Sequence, residues 1–293
     1  MDVETPRLKL PITSSSPVSN SFVSFDSGFS ILRRFKLMLN WRLRLTLEIQ
    51  SSLGIPFSII FLFPVGAVEI IFHLQHGFYR INEGEMLAER NAFIEGQQTG
   101  CLIVKQKGTI KTVGITLHPW ATKYLWKTSA RTFTNNRYGI YEIDKSLQGL
   151  YEKLASSATS SECIKLCDDF LLKKAMQSED VTASNHLFMN LYSTTAECSD
   201  ITELKKRWNY STRYLEKKYI ELMGVTASEQ FCKKRALAAL KMLIKKDYTS
   251  LTAVAHQNEY YDQSHYIRTF RNYFSMTPRE FINKDHLLLQ YFS

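Results

Sequence analysis

The apolar positions in the last third of the chain repeat. Leu215, Tyr219 and Leu222 fall at i, i+4 and i+7, and so do Tyr266, Phe270 and Tyr273, 51 residues later. That spacing gives each segment one buried helical face. The register continues past both segments: Val225 lands on Met276, Thr226 on Thr277 and Glu229 on Glu280. Thr-x-x-Glu is a capping box, which satisfies two backbone donors and opens a further helix. Pro278 stands at the first helical position of the second box, where its missing N–H costs nothing. A shorter helix precedes each segment. Asp200 caps one with Ile201, Leu204 and Trp208 inward, and Ser250 caps another with Leu251, Val254 and Ala255 inward. The pattern predicts two helix-turn-helix units, about 200–224 and 250–275. Between them, Ser228 to Lys246 carries Leu237, Leu240 and Ile244 on one face, a spacer of roughly 25 Å or more. Such a spacer sets two recognition helices about one DNA turn, near 34 Å, apart.

The faces that do not pack are polar and largely basic. Arg213, Glu216 and Lys217 lie at i, i+3 and i+4 on the first long helix. Ser264, Arg268 and Arg271 lie at i, i+4 and i+7 on the second, with His265 beside them. Arginine suits bidentate contact with guanine, and Ser or His hydrogen-bonds base edges. Lys218 and Arg271 sit at the flanks, as phosphate contacts that fix register do. On a single helix such a face is most often plain solvated surface. Two units with matching caps and matching basic faces favour DNA.

This region resembles the AraC/XylS family of bacterial transcription regulators over about residues 195–283. The family's second unit reads Ala-x-x-x-Gly-Phe-x-Asp-x-Ser-His-Phe-x-Arg-x-Phe-[Lys/Arg], followed by Gly-x-[Ser/Thr]-Pro-x-x-[Tyr/Phe]. The matching residues here are Ala255, Tyr260, Asp262, Ser264, His265, Tyr266, Arg268, Phe270, Arg271, Thr277, Pro278 and Phe281. The first unit matches through Ser211, Leu215, Lys217, Tyr219, Gly224, Val225 and Thr226. The resemblance implies two helix-turn-helix subdomains joined by a long helix, with Arg213, Glu216, Lys217, Ser264, His265, Ile267 and Arg268 at base-reading positions. It implies double-stranded DNA and RNA polymerase as partners, with a small-molecule effector and a second copy of the chain as further candidates, in a bacterial cytoplasm. Three departures stand out: the turn glycine of the second unit is Glu259, the later glycine is Ser275, and the proline of the first capping segment is Ala227. If position 259 needs a positive φ, the missing glycine costs about 1 kcal/mol or more.

The upstream sequence has a different grain. Residues 1–38 are crowded with serine and hold Pro6, Pro11 and Pro17 with no hydrophobic period, so a disordered tail is expected. Asp2 and Glu4 stand where a secretory signal would be basic. Ile55 to Leu74 approaches the length of a membrane span, but Pro64, Gly66 and Glu69 interrupt it. It reads instead as two buried strands, Phe57–Phe63 and Ala67–Leu74, turning at Pro64-Val65-Gly66. Further strands are expected at Leu102–Gln106, Ile110–Leu117 and Arg42–Ile49, then helices at Ala121–Lys127, Ile143–Ala155, Glu162–Gln177 and Val181–Tyr192. The fold class is α+β: a β-rich sensor or regulatory domain over 39–160, a helical connector over 161–195, and an all-α DNA-binding domain over 196–285. Phe63–Leu74, Gly114–Pro119 and Phe170-Leu171-Leu172 loosely resemble an uncharacterised sensor-like domain found ahead of this DNA-binding module, which implies regulation or assembly and names no ligand.

Charge and chemistry refine this picture only slightly. The net charge is +9, and residues 200–293 hold 16 Lys and Arg against 10 Asp and Glu, so most of the excess lies in the repeat. His73 and His76, near Glu69 and Glu83, faintly suggest a metal site, but strand positions three apart face opposite ways. Structural or surface histidines are the better reading. Cys163 and Cys167 lie one helical turn apart with no CxxC anywhere, favouring buried thiols over zinc, with a weaker redox-sensor reading of the pair. Tyr79, Trp120, Tyr124, Trp126 and Phe133 would line a pocket or, more commonly, pack a core. No phosphate loop, nucleophile elbow or HExxH appears, so neither catalysis nor a cofactor is expected. Two rivals to plain DNA binding are a small-molecule module whose ligand gates it and an enzyme with an appended DNA-binding domain.

Overall fold

The computed structural model describes residues 42–283 apart from 50–56, 63, 65, 83–84, 89, 108–109, 178–190 and 196. The expected tail and all but the last two residues of the expected 181–192 helix lie outside the described residues; residues 191–195 are helical.

Among the described residues, nine strands build two antiparallel sheets. They are β1 (Arg42–Ile49), β2 (Phe57–Leu62), β3 (Val68–His73), β4 (Phe78–Asn82), β5 (Glu85–Ala88), β6 (Ala92–Glu95), β7 (Leu102–Lys107), β8 (Ile110–Leu117) and β9 (Arg137–Gly139). One sheet runs β1-β8-β3-β6-β9 and the other β2-β7-β4-β5. The segment around Pro64 and Gly66 therefore does not fold β2 back on β3. It carries the chain from one sheet to the other, as β2 pairs with β7 and β3 with β8 and β6. On β3, Val68, Ile70 and Phe72 point inward, opposite Val113, Ile115 and Leu117 of β8 and Ile94 of β6. β4, β5, β6 and β9 are not foreseen from the periodicity. β9 joins the sheet edge through Arg137, which pairs with Glu95 and lies 4.0 Å over the Phe93 ring.

Helices follow in the order α1 (Ala121–Trp126), α2 (Ala130–Phe133), α3 (Ile140–Ile143), α4 (Ser146–Ser156) and α5 (Ser160–Met176). The single helix expected over 143–155 is two, parted at Asp144. Its carboxylate accepts from the Ser146 N–H at 2.9 Å and pairs with Lys174 at 2.7 Å. Cys163, Cys167, Leu171 and Ala175 form the buried stripe of α5. Burial pushes the Cys167 thiol up to about 12, which suits an inert core thiol better than a sensor. His73 is buried and its Nδ1 lies 2.9 Å from Thr112 Oγ1, whereas His76 is exposed. Trp120, Tyr124 and Phe133 pack in the core.

The C-terminal part is α6 (Ile201–Trp208), α7 (Thr212–Met223), α8 (Ala227–Lys245), α9 (Leu251–Gln257), α10 (Gln263–Phe274) and α11 (Pro278–Asn283). Asp200, Ser250 and both Thr-x-x-Glu boxes cap helices as their sequences demand. Two cores result. Leu204, Leu215, Tyr219, Leu222, Met223, Val225 and Phe231 belong to one continuous cluster with the N-terminal sheet. The second unit closes on its own around Ala239, Leu240, Tyr266, Phe270 and Phe274. Helix α8 supplies Phe231 to one core and Ala236 to Leu243 to the other.

The replaced glycines occupy left-handed backbone. Glu259 (φ 57°) ends α9 in a Schellman turn: the Tyr260 N–H reaches Ala255 O at 3.0 Å and the Glu259 N–H reaches His256 O at 3.2 Å. Ser275 (φ 58°) ends α10 as Gly224 (φ 73°) ends α7. Glu259→Gly and Ser275→Gly should each stabilise the chain by up to about 1 kcal/mol, since glycine meets no Cβ penalty there. Thermal melts of the two variants check this, and unchanged or lower midpoints would refute it.

Candidate nucleic-acid interface

Helices α7 and α10 occupy the same positions under the 51-residue shift, end to end. Each is entered through a side-chain cap. Ser211 Oγ accepts from the Tyr214 N–H at 3.2 Å, and Asp262 Oδ1 from the His265 N–H at 2.6 Å. Each buries an apolar stripe, Leu215, Tyr219 and Leu222 in one and Tyr266, Phe270 and Phe274 in the other, where Tyr273, the expected third position, is only half-buried. The Tyr219 hydroxyl donates a short hydrogen bond to Thr195, and burial pushes its pKa far above that of an ordinary phenol. Burial does the same to Tyr260 and Tyr266.

The sequence-chosen residues divide into two groups. Arg213, Lys217, Ser264, Arg268 and Arg271 are exposed along the outer faces. His265 and Ile267 are half-buried: His265 stands edge-on to Tyr260 at 5.4 Å, and Ile267 lines a groove with Leu251, Gln263, Thr277, Pro278 and Arg279. Glu216 and Lys218 are engaged within the protein. The Glu216 carboxylate accepts from the start of α8, and Lys218 pairs with Glu221 at 3.0 Å. Periodicity alone gives no sign of either engagement.

The turn of the first unit adds residues that the pattern passes over. Lys205, Lys206, Asn209, Tyr210 and Ser211 line a concavity of about 430 Å³ at the entrance to α7. Lys205 and Lys206 are exposed, while their neighbour Arg207 pairs with Glu203 and Glu197. The Ser199 N–H and Arg207 together hold the Glu203 carboxyl below its ordinary pKa. Trp208, Tyr210 and Tyr214 form an aromatic ladder with centroid spacings of 6.3 and 4.6 Å. The Lys-Lys-Arg run at 205–207 is the sequence signal that marks this side.

The far end of α7 is gripped by the N-terminal region. Ser129 Oγ donates to Glu221 O at 3.0 Å, Gln97 Nε2 to Met223 O at 2.6 Å, and Thr134 Oγ1 to Gly224 O at 3.0 Å. Lys123 pairs with Glu221 at 2.5 Å, and its hydrogen bond holds the Glu221 carboxyl low. A Cβ on Gly224 would lie 2.2 Å from Thr134 Oγ1 and 2.8 Å from Ala130 O. Gln97 also accepts from Lys233 of α8 at 3.3 Å. Lys233 is 6% exposed, and burial brings its pKa down to about 8.

A depressed lysine pKa means that the unfolded chain holds the proton more tightly. The penalty is complete below pH 8 and fades as pH rises from about 8 towards the ordinary value of 10.5. Lys233→Met should therefore stabilise the protein by about 1–2 kcal/mol at pH 7, after allowing for the lost Gln97 bond. Its advantage should shrink by pH 10. Urea titrations at the two pH values test this, and a destabilised variant at pH 7 would refute it.

Among the described residues, no helix is long and apolar enough to cross a membrane. The helix-turn-helix domain family matches residues 204–284, and a domain of unknown function (DUF6597) matches residues 46–138. No curated protein matches the chain. Solved structures of ToxT from Vibrio cholerae are similar in outline. The O395 structure is 12% identical with a TM-score of 0.38, over 83% of this chain and 96% of ToxT. The 1.65 Å P21 form is 11% identical with a TM-score of 0.39, over 83% and 97%. Wild-type ToxT from strain SCE256 bound to an unsaturated fatty acid is 11% identical with a TM-score of 0.38, over 83% and 94%. At such values the likeness bears on neither ligand nor partner. The domain match covers both capped units, so residues 204–284 form a DNA-binding helix-turn-helix domain of the kind found in transcription regulators.

Proposed function

We propose that α7 and α10 enter adjacent major-groove segments of one double-stranded site, with the N-terminal region governing the first of them. The observation that carries this reading is the residue-for-residue correspondence of α7 and α10 on either side of α8. In the first unit Arg213 and Lys217 face the bases; in the second Ser264, His265, Ile267 and Arg268 do. Arg271, Lys205 and Lys206 contact phosphates and fix register. The 19 residues of α8 span about 27 Å, which suits two heads on one face of the duplex. The functional division runs through α8, since the first unit shares the core of the N-terminal sheet. An effector or a second copy bound to that sheet thus acts on the first unit directly, and RNA polymerase is the further partner that the resemblance to AraC/XylS regulators implies. The setting is a bacterial cytoplasm.

Binding of the purified protein to its own upstream DNA and to a scrambled duplex, at two salt concentrations, tests this. Arg268→Ala should lose roughly 1–3 kcal/mol of preference for the native fragment. Arg271→Ala should weaken both duplexes alike and flatten the salt dependence by about one unit of slope. Equal binding to both duplexes by the wild type, collapsing with salt, would leave only a nonspecific basic surface.

A further inference from the structure

Glu216 and Ile267 hold the same position in the two units, and so do Ala227 and Pro278. In the first unit the Glu216 carboxylate accepts from the Ala227 N–H at 2.7 Å, the Ser228 N–H at 3.3 Å and the Ser228 hydroxyl at 2.6 Å. The capping box adds the Thr226 N–H to Glu229 at 2.7 Å and the Glu229 N–H to Thr226 at 3.0 Å. Every early N–H of α8 is thereby met. In the second unit Pro278 brings no N–H, and the box itself holds the start of α11. Ile267 lies in the apolar groove beside Pro278. The two substitutions go together chemically. A helix that begins on alanine presents a donor and meets a carboxylate; one that begins on proline presents none and meets hydrocarbon.

We propose that Glu216 is a positioning residue that ties α7 to α8, and that the first unit discriminates bases through Arg213 and Lys217 without it. This rests on the DNA reading above. Three donors share the two carboxylate oxygens, at the positive end of a 19-residue helix. Reaching for a cytosine amino group would break those bonds and leave the N–H of buried Ala227 without its acceptor, although the exposed Ser228 could turn to water. Thr226, at ψ 157°, already has the extended backbone that a following proline requires, so the second unit's solution fits the first.

The test is selection of the full-length wild type and its variants against a randomised duplex library, with melting temperatures alongside. The variants are Arg213→Ala, Glu216→Ala, Glu216→Gln, Ala227→Pro and the double change Glu216→Ala with Ala227→Pro. Arg213→Ala should lose preference at one or more base pairs by about tenfold or more. Glu216→Ala should lower the melting temperature and weaken all sites alike, keeping each base preference within about twofold. Adding Ala227→Pro should restore much of both losses. Glu216→Gln keeps one acceptor and should keep every preference, so it decides the matter if the proline variant does not fold. Loss of a base preference in Glu216→Ala or Glu216→Gln at an unchanged melting temperature would overturn the assignment alone. A wild type that enriches no motif would overturn the DNA reading and the assignment with it.

Discussion

The close approach of Gly224 to Ala130 and Thr134 governs how the rest of this molecule is arranged. The last carbonyls of a helix have no partner within it and must find one outside. In α7 those of Glu221, Met223 and Gly224 are taken by Ser129, Gln97 and Thr134, all from the N-terminal region. A side chain at position 224 would close the gap that makes these bonds reachable. The same left-handed turn at Ser275 carries a Cβ. The two residues mark the difference between a unit that shares its core with the N-terminal sheet and one whose core closes separately.

The lock explains why one hydrophobic cluster runs from β3 to Phe231. Tyr219 is nearly fully buried at the meeting of α7 with the segment carrying Thr195. Truncating an aromatic of that size costs about 3–5 kcal/mol, so the first unit cannot loosen without disturbing the sheet beneath it. Lys233 lies in the same seam as a buried cation with an amide oxygen for company. That is a poor way to build stability, and it leaves the seam weaker than its apolar contacts alone would make it.

The C-terminal helices were legible because their signals are local. Caps, boxes and the i, i+4, i+7 stripes each lie within one or two turns, and the 51-residue shift confirms them against each other. The strands of β3 and β8 were legible from apolar runs. β4 was not, because Phe78, Tyr79, Arg80 and Ile81 are all half-buried and no alternation marks a face. β5 shows Met86 and Leu87 both exposed, and β6 buries Phe93, Ile94 and Glu95 in succession. Pairing between distant segments set those environments, as it set the exchange of sheets around Pro64. Of the candidate interface, the exposure of Arg213, Lys217, Arg268 and Arg271 was legible. The engagement of Glu216 was not, since its partners lie 11 and 12 residues away across a turn. The grip of Gln97, Ser129 and Thr134 was hidden for a like reason, being made by polar loop residues of no periodicity.

Helix α8 belongs to two cores at once, and this bears on how such a regulator can change over time. On the proposed reading, substitution of Arg213, Lys217 or Arg268 would alter which bases are preferred and leave the scaffold alone. Insertion of a single residue in α8 would turn one head by about 100° and push it 1.5 Å further along, while tearing a buried stripe out of one core or the other. On that reading the letters of the binding site would be free to drift; the distance between its two words would not.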